Sequence, residues 1–222
     1  MLGKLIVFEG IDGSGKSTQF DLICKRFSDE NRRFKRIVFP RYNEPSSALI
    51  KMYLAGDFGS DPDSVNAYAA SSFYAVDRYA SYIQEWREYY NNGGLVLTDR
   101  YTTSNALHQG AKIDKKQRGD FFKWLYDYEF NLIGLPVPDL VFYMDIGIEY
   151  AGKRLLHRQT ETGTNADIHE NDMIYLKCSI ESGEQAADQF GWHRISCIDK
   201  GTERNKEELH KEIYANILAM LR

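Results

Sequence analysis

The chain has few cysteines, no surplus of positive charge and no long apolar run, and each shortage removes a class of function. Its three cysteines, Cys24, Cys178 and Cys197, lie far apart and lack the close pairing of a zinc or redox motif. They are expected to pack as small hydrophobes in a reducing compartment. A formal net charge of −4 opposes a general nucleic-acid binder, which needs a positive footprint to displace counterions from phosphates. Any phosphate bound here must be held by a few local cations. No apolar stretch approaches the roughly 20 residues of a membrane span. Met1 to Gly10 passes directly into a strand pattern, without a basic region or cleavage site, so the expected location is the cytoplasm. Apolar and charged fractions of 43% and 27% are those of an ordinary globular protein, which removes the disordered class. There is no internal repeat, low-complexity tract or linker, and 222 residues suit one α/β domain spanning 1–222.

What is present is an alternation of short apolar runs with longer helical patterns, the mark of βαβ units and a mostly parallel sheet. Five strands are predicted: Leu5 to Phe8, Arg36 to Phe39, Leu95 to Thr98, Leu140 to Met144 and His193 to Ile198. Phe20, Ile23, Cys24 and Phe27 fall at i, i+3, i+4 and i+7, which predicts an amphipathic helix after the first strand. Asp63 to Tyr90 reads as one long helical stretch, stopped by Asn91-Asn92-Gly93-Gly94. Leu135-Pro136-Val137-Pro138 is a similar break before the fourth strand. Glu9-Gly10, Pro40-Arg41, Asp99-Arg100 and Asp145 follow successive strands, so charged and polar residues gather at the carboxyl edge, where open α/β sheets bind ligands.

Gly10-Ile11-Asp12-Gly13-Ser14-Gly15-Lys16-Ser17 matches GxxxxGK[ST] in full and sits between a predicted strand and an amphipathic helix. In such a loop the glycines let backbone N–H groups wrap a phosphate. Lys16 reaches the β- and γ-phosphates, Ser17 ligates Mg²⁺, and the helix directs its positive end at the anion. The loop thus predicts a nucleoside triphosphate without specifying a reaction. The base-reading Asn-Lys-x-Asp of signalling GTPases is missing; the nearest string, Asn205-Lys206-Glu207-Glu208, lacks the aspartate.

Arg41 directly follows the second strand. A kinase acting on a sugar hydroxyl would want a carboxylate base at this point, whereas an arginine suits an acceptor that is already a phosphate. A surface arginine in a loop is the alternative. Asp99 is placed like a Walker B carboxylate beside Arg100, which can reach phosphate oxygens; a buried structural ion pair would look the same. Asp145 is a second Walker B candidate, but no arginine follows it. Tyr74 and Arg78, one helical turn apart, either serve core packing with a surface charge or form a ring and guanidinium that read a base.

Taken together these residues resemble the thymidylate kinases, over essentially the whole chain. The resemblance is carried by Phe8-Glu9-Gly10-Ile11-Asp12-Gly13-Ser14-Gly15-Lys16-Ser17-Thr18, Phe39-Pro40-Arg41, Tyr74-Ala75-Val76-Asp77-Arg78, Asp99-Arg100-Tyr101 with Ser104-Asn105, and Gly134-Leu135-Pro136-Val137-Pro138-Asp139-Leu140. It implies a three-layer P-loop NTPase fold, a five-stranded parallel sheet flanked by helices with a short mobile lid. It also implies a homodimer packed through helices, and transfer of the γ-phosphate of ATP, with Mg²⁺, to thymidine 5′-monophosphate (dTMP) in dTTP synthesis. Gly10 to Thr18 would hold ATP. Arg41 and Arg100 would bind the acceptor phosphate, Arg78 would read thymine and Tyr74, or Phe73 beside it, would stack on it. Asp12 would lie near the sugar and metal, and Ser104, Asn105 and Gln109 would line base and sugar. Ser17 and Asp99 would serve the metal. Gly13 stands where one branch of the family has arginine, so the chain is similar instead to the bacterial-type group, whose catalytic arginine lies in the lid. That lid is expected over about 154–170, with Arg158 as the arginine, although the Asp-Arg-x-Glu common at its end reads Asp167-Ile168-His169-Glu170. The rival readings are a deoxynucleoside kinase and a nucleotide-binding sensor that transfers nothing.

Overall fold

In the computed structural model, which describes residues 2–59, 61–154 and 173–222, the first apolar run is strand β1 (Lys4–Glu9). Its period of two feeds two cores. Ile6 and Phe8 pack with Phe20, Ile23 and Phe27 of helix α1 (Lys16–Asp29), while Leu5 and Val7 pack with Trp86, Tyr90 and Ile37. A strand buried on both faces is what a parallel sheet between two helical layers requires. The other strands are β2 (Lys35–Val38), β3 (Leu95–Asp99), β4 (Leu140–Asp145) and β5 (His193–Ser196), ordered β2-β3-β1-β4-β5 with every pair parallel. This is the α/β architecture expected from the sequence.

The helical layers comprise α2 (Ala48–Ala55), α3 (Ala67–Ser81), α4 (Arg87–Asn91), α5 (Thr102–His108), α6 (Arg118–Tyr126), α7 (residues 148–154), α8 (Met173–Phe190) and α9 (Lys206–Met220). The α1 stripe of Phe20, Ile23, Cys24 and Phe27 is buried as its spacing predicts. Asn66 caps α3 by accepting the Ala69 N–H at 2.9 Å, and Asn205 caps α9 by accepting that of Glu207 at 2.8 Å. Both remove an orphan donor from a helix start.

Two expectations need correction. The stretch Asp63 to Tyr90 is not one helix: a 3₁₀ turn (Pro62–Ser64) precedes the Asn66 cap, and a π-helical segment (Tyr82–Trp86) separates α3 from α4. The fifth strand does not run to Ile198. It ends at Ser196, and β6 (Ile198–Asp199) pairs antiparallel with β7 (Thr202–Glu203) through Lys200 and Gly201, both at positive φ. Two positive-φ residues make the tight turn whose twist suits a hairpin. With lysine in the first position it carries little sequence signal. Most of the expected lid, including Arg158, lies outside the described residues. Among the described residues no helix is long and apolar enough to cross a membrane.

Phe27 joins α1 to α9, its ring set edge-on to Phe34 and Tyr214 with centroids 5.8 and 6.0 Å away. Phe27→Ala should therefore lower unfolding free energy by about 3–5 kcal/mol, read as a lower denaturation midpoint at unchanged m-value. A wild-type midpoint would contradict this core.

Candidate active site

Parallel register brings the chemistry together. Phe8 stands opposite Asp99, and so does Val38, so β1, β2 and β3 end at one level. The glycine-rich loop leaves β1 where β3 delivers Asp99 and Arg100. Gly10 has φ +152°, and a Cβ there would meet the Ser14 hydroxyl at 2.7 Å, so only glycine fits without displacement. Gly15, at φ +85°, caps α1 and leaves the helix's first N–H groups aimed into the loop.

Lys16 Nζ donates to Asp99 Oδ1 at 2.6 Å and Ser17 Oγ to Asp99 Oδ2 at 2.7 Å. Burial lowers the Lys16 pKa from the ordinary lysine value and the charge of Arg100 adds to the effect, while Asp99 and Glu9 oppose it. An arriving anion would therefore meet a lysine whose charge is only partly supported. Asp145 instead sits at the end of β4, beside Gly147, Glu149 and Ser196.

Arg100 holds a left-handed backbone, φ +66°, that a long side chain rarely adopts. Its N–H donates to Phe8 O at 3.0 Å, and its carbonyl accepts the Thr98 hydroxyl at 2.7 Å, which pin the turn. The guanidinium pairs with Asp12 and lies 3.7 Å from the buried carboxylate of Glu9, and Nη1 sits 3.0 Å from His108 Nε2. Burial alone would lower the Arg100 pKa. Asp12, Glu9 and Asp99 more than offset this and raise it, so the group stays a cation. Backbone strain at a charged side chain on the ligand edge of the sheet is a pointer to function.

Two clefts meet here. One, of about 430 Å³, is lined by the loop from Ile11 to Gln19 with Arg154, Arg204 and Lys206 on its rim. The other, of about 290 Å³, is lined by Tyr74, Arg78, Asp99, Arg100, Ser104, Asn105, His108 and Gln109 among others. Asp12, Lys16 and Ser17 belong to both. The predicted residues Asp12, Lys16, Ser17, Tyr74, Arg78, Asp99, Arg100, Ser104, Asn105 and Gln109 are thus assembled around one cavity. Tyr74 lines it, whereas Phe73 turns to Tyr53 and Phe58. Ser104 donates to Glu9 at 2.7 Å and Asn105 to Glu129 at 3.0 Å. Gln109 is buried and lines the cleft, and its side-chain oxygen has no hydrogen-bond partner among the described residues.

Arg41 departs from expectation. It is absent from the cleft lining, because its guanidinium is held by Asp77 at 3.3 Å, by Glu85 and by Ser46 at 2.9 Å. Asp77 and Glu85 are remote from Arg41 in sequence, so this competition was not visible there.

Three further residues escaped sequence reasoning. Glu9, fully buried, accepts from Gly10 N, Thr103 and Ser104 and so ties the phosphate loop to α5; its position before the motif was the available signal. Arg154 donates to Gly13 O at 3.1 Å and to Glu203 at 2.6 Å, which ties α7 to the phosphate loop. Glu129, in a second π-helical segment (Asp127–Leu132), pairs with Arg78 across 51 residues and has no local signal.

Arg41→Ala would strip the buried Asp77 carboxylate of its cation. Unfolding free energy should fall by about 3 kcal/mol, measured by denaturation without nucleotide; an unchanged midpoint would show that the cluster is not structural.

The thymidylate kinase family model matches residues 8–213. A thymidylate kinase of Mycobacterium tuberculosis is 32% identical over 190 residues, spanning 84% of this chain and 87% of that protein. One from Prochlorococcus marinus is 28% identical over 230 residues, spanning 100% of this chain and 99% of that protein. Among solved structures, a thymidylate kinase from Candida albicans superposes with a TM-score of 0.73 at 22% identity, covering 98% of this chain and 92% of that one, and so shares the fold. With the phosphate loop, Asp99-Arg100 and the cleft they border already in place, the match settles the family: this chain belongs to the thymidylate kinases.

Proposed function

We propose that the chain transfers the γ-phosphate of ATP to dTMP, giving ADP and dTDP in the supply of dTTP for DNA replication. The observation that carries this is the junction of the two clefts at Asp12, Lys16 and Ser17, which sets donor and acceptor head to head. ATP occupies the loop from Gly10 to Thr18, its γ-phosphate reaching Lys16. The acceptor lies in the second cleft, with Tyr74 against the base, Arg78 on its carbonyl oxygens, and Ser104, Asn105 and Gln109 along base and sugar.

The acceptor phosphate has a second pKa of about 6 and needs no general base near neutral pH. What the residues must supply is alignment of two repelling anions and countercharge for a loose transition state. Lys16 and Arg100 supply it by exchanging their carboxylate partners for phosphate oxygens. Arg41 joins them only by releasing Asp77 and Glu85, and Arg158 belongs to the same set if the expected lid closes on the nucleotide. The oxygens of Ser17 and Asp99 are the hard donors that suit Mg²⁺, with phosphate oxygens and water completing the shell. When bound, the ion neutralises charge on the β- and γ-phosphates.

A deoxynucleoside kinase would need a carboxylate base over the sugar hydroxyl. Asp77 and Glu85 are paired with Arg41 and do not line the cleft, and the carboxylates that do, Asp12 and Asp99, are engaged by Arg100 and by Lys16 and Ser17. A sensor without transfer has no use for the arginines of the second cleft. Homodimer formation is supported by an apolar stripe on α3, where Tyr68, Val76 and Tyr79 are 44%, 51% and 45% exposed, and by the exposed Leu49 and Met52 of α2. Such a patch suits a helical interface. A cytoplasmic location goes with the three free thiols.

A coupled assay with MgATP and a panel of nucleosides and monophosphates tests the reading. Transfer should be fastest to dTMP, should stop on metal chelation and should be undetectable with thymidine. Lys16→Ala should lose at least about 100-fold in kcat while melting as a folded protein. Near-normal turnover by that variant would overturn the assignment.

A further inference from the structure

Both π-helical segments among the described residues deliver a glutamate to an arginine of the acceptor region. Glu85 of Tyr82–Trp86 reaches Arg41, and Glu129 of Asp127–Leu132 reaches Arg78. A π turn closes i→i+5 rather than i→i+4 hydrogen bonds, so a side chain inside it is displaced around the axis from where an uninterrupted α-helix would put it. The second case is complete. Arg78 Nε donates to Glu129 Oε2 at 2.7 Å and Nη2 to Oε1 at 2.5 Å, a side-on pair with both residues fully buried. The carboxylate also accepts from Thr102 at 2.8 Å and Asn105 at 3.0 Å, so four donors fix its plane. Arg78 spends a further N–H on the Tyr101 carbonyl at 3.3 Å. Of the five N–H groups of a guanidinium, two are then left, on a side chain that lines the acceptor cleft.

We propose that Glu129 is the positioning residue for base recognition: it locks the Arg78 guanidinium and cancels its charge, so that the remaining N–H groups read the carbonyl oxygens of a neutral pyrimidine base instead of capturing an anion. The proposal rests on the reading of Arg78 as the base-contacting residue. An unpaired buried guanidinium would be a strong anion site, and in a cleft whose ligand carries a phosphate it would favour a reversed, unproductive pose. With Arg78 locked in an enclosed pair, Lys16 and Arg100, whose carboxylates are exchanged for phosphate oxygens, are the cations of the cleft that receive the phosphate, and so the acceptor has one orientation. Thr102 and Asn105, which satisfy the rest of the buried carboxylate, lie on the helix that borders the cleft, so the plane of the pair is fixed relative to the cleft wall.

The test is steady-state kinetics on Glu129→Gln, Arg78→Gln and the double variant, with thermal melts of each. Glu129→Gln should lower kcat/KM for the accepted monophosphate about 10-fold or more, with KM for ATP within about 3-fold of wild type. In the Arg78→Gln background the same change should add nothing, because Glu129 acts through Arg78. A comparable change in KM for ATP, an unchanged acceptor kcat/KM, or the same fold-loss in both backgrounds would overturn the proposal. If Glu129→Gln does not melt cooperatively, Glu129→Asp carries the same cycle, with acceptor kcat/KM again falling and ATP KM unmoved. Failure of the functional reading is distinguishable, since it would appear in the wild-type substrate panel before any variant is made.

Discussion

The pairing of β1 with β3 is the constraint on which the site depends. It sets Phe8 opposite Asp99, so the first residues of the phosphate loop and the last residue of β3 share one level. Slipping that register by one residue would turn Asp99 to the other face of the sheet. Lys16 and Ser17 would lose their common carboxylate, and Arg100, whose N–H is anchored to Phe8 O, could not hold its left-handed turn. Register here is strongly specified, because β1 is buried on both faces and a slip would also exchange Ile6 and Phe8 for Leu5 and Val7 in two different cores.

A second constraint follows from putting cations where water is scarce. Each arginine tied to the acceptor region has a carboxylate partner: Asp12 and Glu9 for Arg100, Glu129 for Arg78, Asp77 and Glu85 for Arg41. Exposed pairs such as Lys25–Asp29 or Lys123–Asp120 contribute about 0–1 kcal/mol and decide nothing. Breaking a buried pair costs about 3–5 kcal/mol, enough to set which arginines can turn to a ligand. By that measure Arg100, with its pairing partly exposed at Asp12, exchanges partners more readily than Arg78, whose carboxylate is fully enclosed. That ordering supports the proposed assignment of the acceptor phosphate to Arg100 and of the uncharged base to Arg78.

The parts of this arrangement that were legible in the sequence are those written over a short span. Gly10 to Ser17 encode backbone conformations that only glycine reaches and a lysine that follows at fixed distance, so the phosphate loop could be read residue by residue. The five strands were legible because each is a short apolar run between turn signals, and the α1 stripe because 3.6-residue periodicity survives in any context. Asp99 and Arg100 could be placed on the ligand edge from strand polarity alone. The division of the stretch from Asp63 to Tyr90 could not be read, since Tyr82–Trp86 keeps helical composition while the π register is imposed by what Glu85 and Trp86 meet elsewhere. The engagement of Arg41 was hidden for the same reason. Its partners lie 36 and 44 residues away, and nothing near Arg41 signals them.

The first turn of α5 explains how such distant groups come to act together. Thr102 and Asn105 are three apart and so share a face, on which both donate to Glu129; Thr103 and Ser104, on the adjoining face, both donate to Glu9. Glu9 is bonded to Gly10 N at the root of the phosphate loop, and Glu129 grips Arg78 at the far end of the cleft. One helical turn is therefore clamped between two buried carboxylates, one belonging to the donor side and one to the base side. Since a buried carboxylate cannot shed its donors cheaply, a displacement of the loop on ATP binding must either be carried into α5 or be resisted by it. The spacing between the phosphate loop and Arg78 is held by these four hydroxyl and amide donors, so a loop and a helix from separate parts of the chain keep a fixed distance, as the proposed alignment of two anions requires.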